Sequence, residues 1–189
     1  EGTSIKWMVD MSKKILVLSS SPRRGGNSDL LCDQFMKGAL EAGHHAEKIF
    51  FKDKKISYCT GCGVCLNGEK PCPLRDDMAE VLEKMVASDV IVMGTPVYFY
   101  TMDAQMKTLI DRTCSRYTEI SNKEFYFIVA AADTDKGAME RTIEGFRGFT
   151  SCLNGAEEKG IIYGTGAWNI GDIKCTPAMK EAFDMGKKV

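Results

Sequence analysis

The sequence predicts a doubly wound α/β fold, a five-stranded parallel sheet in the order 2-1-3-4-5 with helices on both faces. Three observations lead there. Short apolar runs without polar alternation recur along the chain, as strands covered on both faces require. Amphipathic helical patterns stand between them, giving successive βαβ units whose crossovers are right-handed. The chain has 189 residues and is 44% hydrophobic, enough for one sizeable core and too short for two by default. Residues 13–189 therefore read as a single domain, and residues 1–12 as an N-terminal tail, with Met11 just ahead of a natural start.

Residues 15–18 form the first buried strand. Asn27 or Ser28 then caps a helix carrying Leu30, Leu31, Phe35, Ala39 and Leu40 on its inner face, and Gly43 ends it. The second strand is 46–51. Asp76 and Asp77 open a second helix with Met78, Val81, Leu82, Met85 and Val86 on one stripe, and the third strand runs from 89 to 95 until Pro96 breaks it. A third helix spans 104–115, a fourth strand 125–131, a helical stretch 138–152 and a fifth strand 159–163. Residues 164–173 are a glycine-rich loop, and 176–188, with Pro177 in the first turn, form the closing helix. The methionines on helical stripes read as core filler, and His44 and His45 as surface residues.

A net charge of -1, from 25 basic and 26 acidic residues spread along the chain, gives no reason to expect nucleic acid or an anionic membrane as partner. No apolar stretch approaches a bilayer span. The first dozen residues lack the pattern of a secretory signal. Four of the eight cysteines crowd into 59–72 and the others are scattered, which fits a local cysteine site in a reducing cytoplasm better than a disulfide framework.

In an open parallel sheet the ligand crevice lies beyond the strand carboxyl ends, where the strand order reverses. With order 2-1-3-4-5 that point falls between the first and third strands, so two loops meet there. The first, 19–28, holds hydroxyls, glycines and a cation. Ser19, Ser21, Asn27 and Ser28 supply donors and Arg23 supplies charge, as a phosphate bound without a metal requires; the plain reading is a polar turn with a helix cap. The second, Pro96, Val97, Tyr98, Phe99 and Tyr100, offers flat apolar surface and backbone N–H groups, suited to a planar ring system, or else to core or a dimer contact. No G-x-x-x-x-G-K-[ST] stretch is present, and Gly164 and Gly166 lack the third glycine and helix of a dinucleotide fingerprint. A mononucleotide is the ligand left.

Cys59-x2-Cys62-x2-Cys65-x6-Cys72 is the sharpest cysteine signal, within a cysteine-rich loop at 56–75. Gly61 and Gly63 permit tight turns that direct sulfurs inward. Four thiolates suit a [4Fe-4S] cluster, a structural zinc, or an unmetallated dithiol or disulfide, because spacing states capacity to ligate and not occupancy. Lys70, Arg75 and the lysines at 52–55 surround the segment and are expected to lower thiol pKa.

The run Ser20-Ser21-Pro22-Arg23 with Gly26-Asn27-Ser28 resembles the phosphate loop of the NADPH-dependent FMN reductase and iron–sulfur flavoprotein families, which have flavodoxin-like folds. The resemblance continues through Thr95 to Tyr100, Gln105-Met106-Lys107, Ile110-Asp111-Arg112 and the segment 160–173, and the four cysteines match the compact cluster motif of the iron–sulfur flavoproteins. It implies FMN held by both loops, NAD(P)H as transient reductant, and a homodimer or homotetramer. The expected activity is an FMN-dependent NAD(P)H oxidoreductase whose acceptor is a quinone, a nitro or azo compound, a flavin or similar. The alternative is an electron carrier between FMN, a [4Fe-4S] cluster and a ferredoxin-like partner. A flavin-less or zinc-bearing sensor on the same fold is the third reading.

Overall fold

The computed structural model describes residues 11–66 and 70–189. The expected tail, up to residue 10, and positions 67–69 of the cysteine-rich loop lie outside the described residues. Five strands run parallel: β1 (Lys14–Ser19), β2 (His45–Phe50), β3 (Val90–Tyr98), β5 (Glu124–Ala130) and β6 (Glu157–Gly164), with a two-residue β4 (Thr101–Met102) beside β3. The order is β2-β1-β3-β5-β6, with β4 antiparallel to β3, so the five-strand order expected from the sequence holds.

Along β1 the side chains alternate between two apolar layers. Ile15 and Val17 pack with α1 (Asn27–Glu41) and α5 (Ala178–Lys187), whereas Leu16 and Leu18 pack with α2 (Met78–Ala87), α3 (Ala104–Arg112) and α4 (Glu140–Thr150). Burial on both faces is why the strand runs read as continuous apolar stretches. Helices α1 and α5 touch backbone to backbone. A Cβ at Gly38 would stand 2.1 Å from Phe183 O, and one at Gly186 2.0 Å from Phe35 O, so only glycine permits this approach. Met78, Met85 and Met106 are buried. His44 is half-buried, and its Nδ1 accepts from Lys13 N at 3.1 Å, a tie that no local pattern announces.

Pro96 does not end the third strand. β3 continues to Tyr98, with Pro96 opposite Ala130 of β5, and turns back into β4 through Phe99 and Tyr100, whose φ angles are +50° and +65°. Proline is tolerated there because the strand is about to leave the parallel ladder and needs no further N–H at that point. The element ahead of α2 also differs in detail: Asp76, not Asp77, serves the first turn, accepting from Met78 N at 3.2 Å.

Candidate flavin and cysteine sites

The carboxyl ends of β1, β3 and β5 frame a cavity of about 400 Å3 whose wall includes Ser21, Arg23, Asn27, Ser28, Pro96, Val97 and Tyr98. The first loop is anchored to the sheet where Ser20 donates twice to Gly94 O, from N at 2.9 Å and from Oγ at 3.1 Å. Gly25, at φ +68°, lets the chain turn so that its N–H reaches Asp29 Oδ2 at 2.9 Å. Asp29 is buried and also accepts from Ser19 Oγ at 2.7 Å and Lys48 Nζ at 2.8 Å. Burial works to raise its pKa, but the bonds from Lys48, Ser19 and Gly25 outweigh it and hold the carboxyl below its usual range.

The structure separates the expected anchors into two kinds. Ser19 lies beneath the loop on Asp29, and Ser21 Oγ donates to Arg23 O at 2.9 Å; both shape the loop. Asn27 belongs with them. Its Nδ2 donates to Ala167 O (3.1 Å) and Asn169 O (2.9 Å), and its Oδ1 accepts from Gly171 N (3.0 Å) and Ile173 N (3.3 Å). Asn27 thus ties the 167–173 loop to α1, and the N-cap position is held by Gly26.

The second kind leaves its donors unengaged. Ser28 is 2% exposed and its Oγ has no hydrogen-bond partner. The Arg23 guanidinium is exposed with no carboxylate beside it among the described residues, while neighbouring Arg24 is fixed bidentately on Asp53 at 2.6 and 2.7 Å and lies over the Phe50 ring. Ser28 and Arg23 both line the cavity at the start of α1, where a helix N-terminus favours an anion. These residues fit the phosphate of FMN.

Of the aromatic loop, Tyr98 lines the cavity, whereas Phe99 (99% exposed) and Tyr100 stand outside it at the hairpin tip. Two adjacent non-glycine residues at positive φ are uncommon, and such strain collects at functional sites. A third wall was not expected from the sequence: Ala130, Ala131 and Ala132 at the end of β5, with Ala167 and Trp168. Three consecutive alanines at a strand's carboxyl end were the available signal, since small side chains leave room for a ring. Ala167 N donates to Ala131 O at 2.9 Å and Gly166 N to Asp133 O at 2.7 Å, which seats the glycine-rich loop on the end of β5.

Below the second loop, Asp103 caps α3 by accepting from Met106 N at 3.0 Å. It is 1% exposed, and burial raises its pKa to about 6, opposed only in part by the bond from Met106 N and by the nearby Ser20 and Thr95 hydroxyls.

Cys59, Cys62, Cys65 and Cys72 line one hollow of about 80 Å3, together with Cys114. Its two stems are clamped by Arg112, which is 4% exposed. Nη1 donates to Ser57 O at 2.6 Å and to Asp76 Oδ2 at 2.7 Å, and Nη2 donates to Asp76 Oδ1 at 2.9 Å. Asp76 also accepts from Ser57 N at 2.9 Å, and Asp77 Oδ2 accepts from Lys55 N at 2.7 Å. The Arg112 bond holds the Asp76 carboxyl down at about 2. At Cys65 the expected lowering by the surrounding lysines is not found. Lys54 is engaged by Glu80 at 2.6 Å, and Cys65 is pushed up, first by burial and then by the neighbouring Cys114 and Cys72 thiols.

No three His, Cys, Asp or Glu side chains among the described residues are drawn to a common point fit for one metal ion. A tetrahedral zinc needs that convergence at ~2.3 Å from each sulfur; a cluster of four irons takes its thiolates at separate corners around a hollow. The donor set fits a cluster in its chemistry.

A doubly wound parallel sheet with an open crevice at its switch point is a flavodoxin-like architecture. Comparison with known proteins narrows this: residues 13–148 match the NADPH-dependent FMN reductase family, and the chain belongs to that family. An iron–sulfur flavoprotein of Methanocaldococcus jannaschii is 34% identical over 186 residues, covering 93% of this chain and 95% of that protein. One from Archaeoglobus fulgidus is 43% identical over 100 residues, 52% of this chain and 44% of its own length. Among solved structures, the NAD(P)H:quinone oxidoreductase of Methanothermobacter marburgensis superposes with a TM-score of 0.74 at 17% identity, covering 94% of this chain and 96% of that one. The protein is a flavodoxin-like oxidoreductase using FMN and NAD(P)H. No helix of the described residues is long and apolar enough to cross a membrane.

Proposed function

We propose that the protein takes electrons from a reduced nicotinamide into FMN and passes them to a small acceptor such as a quinone, a nitro or azo compound or a free flavin. The cavity at the switch point carries this reading, through the orphaned Ser28 hydroxyl and the unpaired Arg23 guanidinium at its wall. Arg23, Ser28 and the start of α1 hold the phosphate; Pro96, Val97, Tyr98 and the alanines beyond β5 flank the ring. FMN, when bound, supplies the hydride and electron chemistry. The chain's part is to bind, to orient and to shield one face while leaving the other open. Exposed Phe99, Tyr100, Trp168 and Ile170 around this mouth support a homodimer or homotetramer in which a second copy borders the site.

The second reading makes the protein an electron carrier, with Cys59, Cys62, Cys65 and Cys72 holding a [4Fe-4S] cluster that serves a ferredoxin-like partner. The hollow lined by sulfur and glycine favours it, as do the names of the relatives. Anaerobic purification with a visible spectrum, metal analysis and turnover assays tests both. Flavin bands with rapid NAD(P)H oxidation by a quinone and no iron support the enzyme. Iron and sulfide near ~4 per chain, with slow quinone turnover and fast exchange with a ferredoxin, support the carrier. Absence of flavin bands after reconstitution with FMN would sink both.

A further inference from the structure

Charge along the cysteine loop and its first stem is uneven. Residues 52–75 hold Lys52, Lys54, Lys55, Lys70 and Arg75 against Asp53 and Glu69, a positive surplus in a chain whose net charge is -1. The fold sharpens the difference. Asp53 is engaged by Arg24, Lys54 by Glu80, and Asp76, just past the loop, by Arg112. Lys52, Lys55, Lys70 and Arg75 are exposed, with no carboxylate partner among the described residues.

Large apolar side chains on the same loop also face outward. Tyr58 is 76% exposed, Leu66 69% and Val64 43%. Tyr58 adjoins Cys59, and Val64 and Leu66 flank Cys65. Apolar groups held in water beside unpaired cations mark a surface that another molecule covers. Next to the stem lies a hollow of about 250 Å3, with Phe51, Lys54 and Ile56 on one side and Ala104, Gln105 and Thr108 of α3 on the other, a socket for a projecting side chain. The face is also held in place before anything binds, since Arg112 ties Ser57 O to Asp76 and Asp77 Oδ2 accepts from Lys55 N at 2.7 Å.

We propose, resting on the electron-carrier reading above, that this face is the docking surface for an acidic, ferredoxin-like electron-transfer protein. Lys52, Lys55, Lys70 and Arg75 steer the partner and meet its carboxylates, while Tyr58, Val64 and Leu66 form the dry centre of the contact. The loop carries all four cysteines of the motif, so docking here brings the partner's redox centre against the segment that would hold this chain's own. In each encounter one electron leaves the reduced partner, which is oxidised, and enters this chain's oxidised centre; no bond is made or broken. The cations are spread along a loop and do not converge on an enclosed cavity, which matches an extended acidic surface better than a small anion.

The test is binding of a small acidic ferredoxin carrying two [4Fe-4S] clusters to the anaerobically purified protein, read by calorimetry at about 0.05 and 0.5 M salt. Iron and FMN contents and far-UV circular dichroism report whether each variant is intact. The wild type is expected to bind and to lose about tenfold in affinity between the two salt concentrations. Lys52→Glu, Lys55→Glu and Arg75→Glu each weaken binding about three- to tenfold, and the three together about a hundredfold. Leu66→Ser weakens it with the salt dependence unchanged. Lys188→Glu, at the end of α5 on the other face of the sheet from the stem, leaves Kd as it was. A triple variant that binds like the wild type overturns the inference, as does a wild type that holds iron and FMN and does not bind the ferredoxin. Equally salt-sensitive binding of phosphatidylserine vesicles, lost in the same variants, overturns the assignment to an acidic protein. A wild type that binds the ferredoxin through these cations but takes up no iron on anaerobic reconstitution leaves the surface standing and sinks the carrier reading.

Discussion

Ser28 is a residue whose local cost has no local explanation. A buried hydroxyl without a partner destabilises by about 1–3 kcal/mol, and the helix start would be served as well by alanine at that position. A bound phosphate removes the contradiction. Ser28→Ala is therefore expected to raise the stability of the flavin-free protein by about 1 kcal/mol and to weaken FMN binding about tenfold, as read by urea titration and flavin fluorescence. A variant that binds FMN as tightly as the wild type would remove Ser28 from the site. At this scale the sequence shows only capacity. Ser19, Ser21, Asn27 and Ser28 are alike as potential donors, and only the fold reveals that Asp29 takes the first, that Ser21 donates back to the Arg23 carbonyl, and that Asn27 holds a loop well over a hundred positions away.

Elements show where local pattern suffices and where it does not. The β1, α1 and β2 unit was readable because apolar runs, a cap region and Gly43 lie consecutively in the chain. The continuation of β3 through Pro96 was not, because it depends on β5 and β4 as pairing partners. Nor was the contact of α1 with α5, made through glycines far apart in sequence. Gly38→Ala places a methyl against the Phe183 carbonyl and is expected to cost about 3 kcal/mol. That is a fall in Tm of about 6–12 °C, with FMN affinity unchanged in the folded fraction; a Tm within a degree of wild type would show that the helices separate freely. At the start of α3, burial raises Asp103 from 3.8 to about 6, so the folded state holds a proton that the unfolded state has released. That contribution is full below about pH 4 and is lost as pH rises through about 6, a fall of about 2–3 kcal/mol between those limits. Asp103→Asn keeps an acceptor for Met106 N and carries no charge, so denaturation measured from pH 4 to 7 is expected to lose this slope. An unchanged slope would assign it to other groups. Asp76 acts in the opposite direction and in a lower window: Arg112 holds it at about 2, so its stabilisation is present above about pH 4 and fades as pH falls towards 2.

For the whole molecule, sheet order joins parts of the chain that composition leaves unrelated. Order 2-1-3-4-5 was enough to bring loops 19–28 and 96–100 together on paper. It was not enough to show that residues 130–132 and 167–168 close the same cavity, or that α3 delivers Arg112 and Cys114 to the cysteine loop. Those meetings depend on how the sheet twists and how the helices settle on it, which no local period encodes. The resulting cavity makes a claim about global stability. A ligand that binds only the folded state stabilises it by mass action, about 2.7 kcal/mol at a hundred times Kd, or a rise in Tm of about 5–11 °C for a chain of this size. FMN and riboflavin share the ring and differ in the phosphate, so the difference between their shifts isolates the cradle. With charge-assisted bonds at about 1.5–3 kcal/mol each, riboflavin at the same concentration is expected to give less than half the FMN shift. Because Arg23 is exposed and unpaired among the described residues, Arg23→Ala should leave the flavin-free Tm nearly unchanged while lowering the FMN shift towards that of riboflavin. Equal shifts for the two ligands in the wild type, or an Arg23→Ala protein that still distinguishes them fully, would place the phosphate elsewhere.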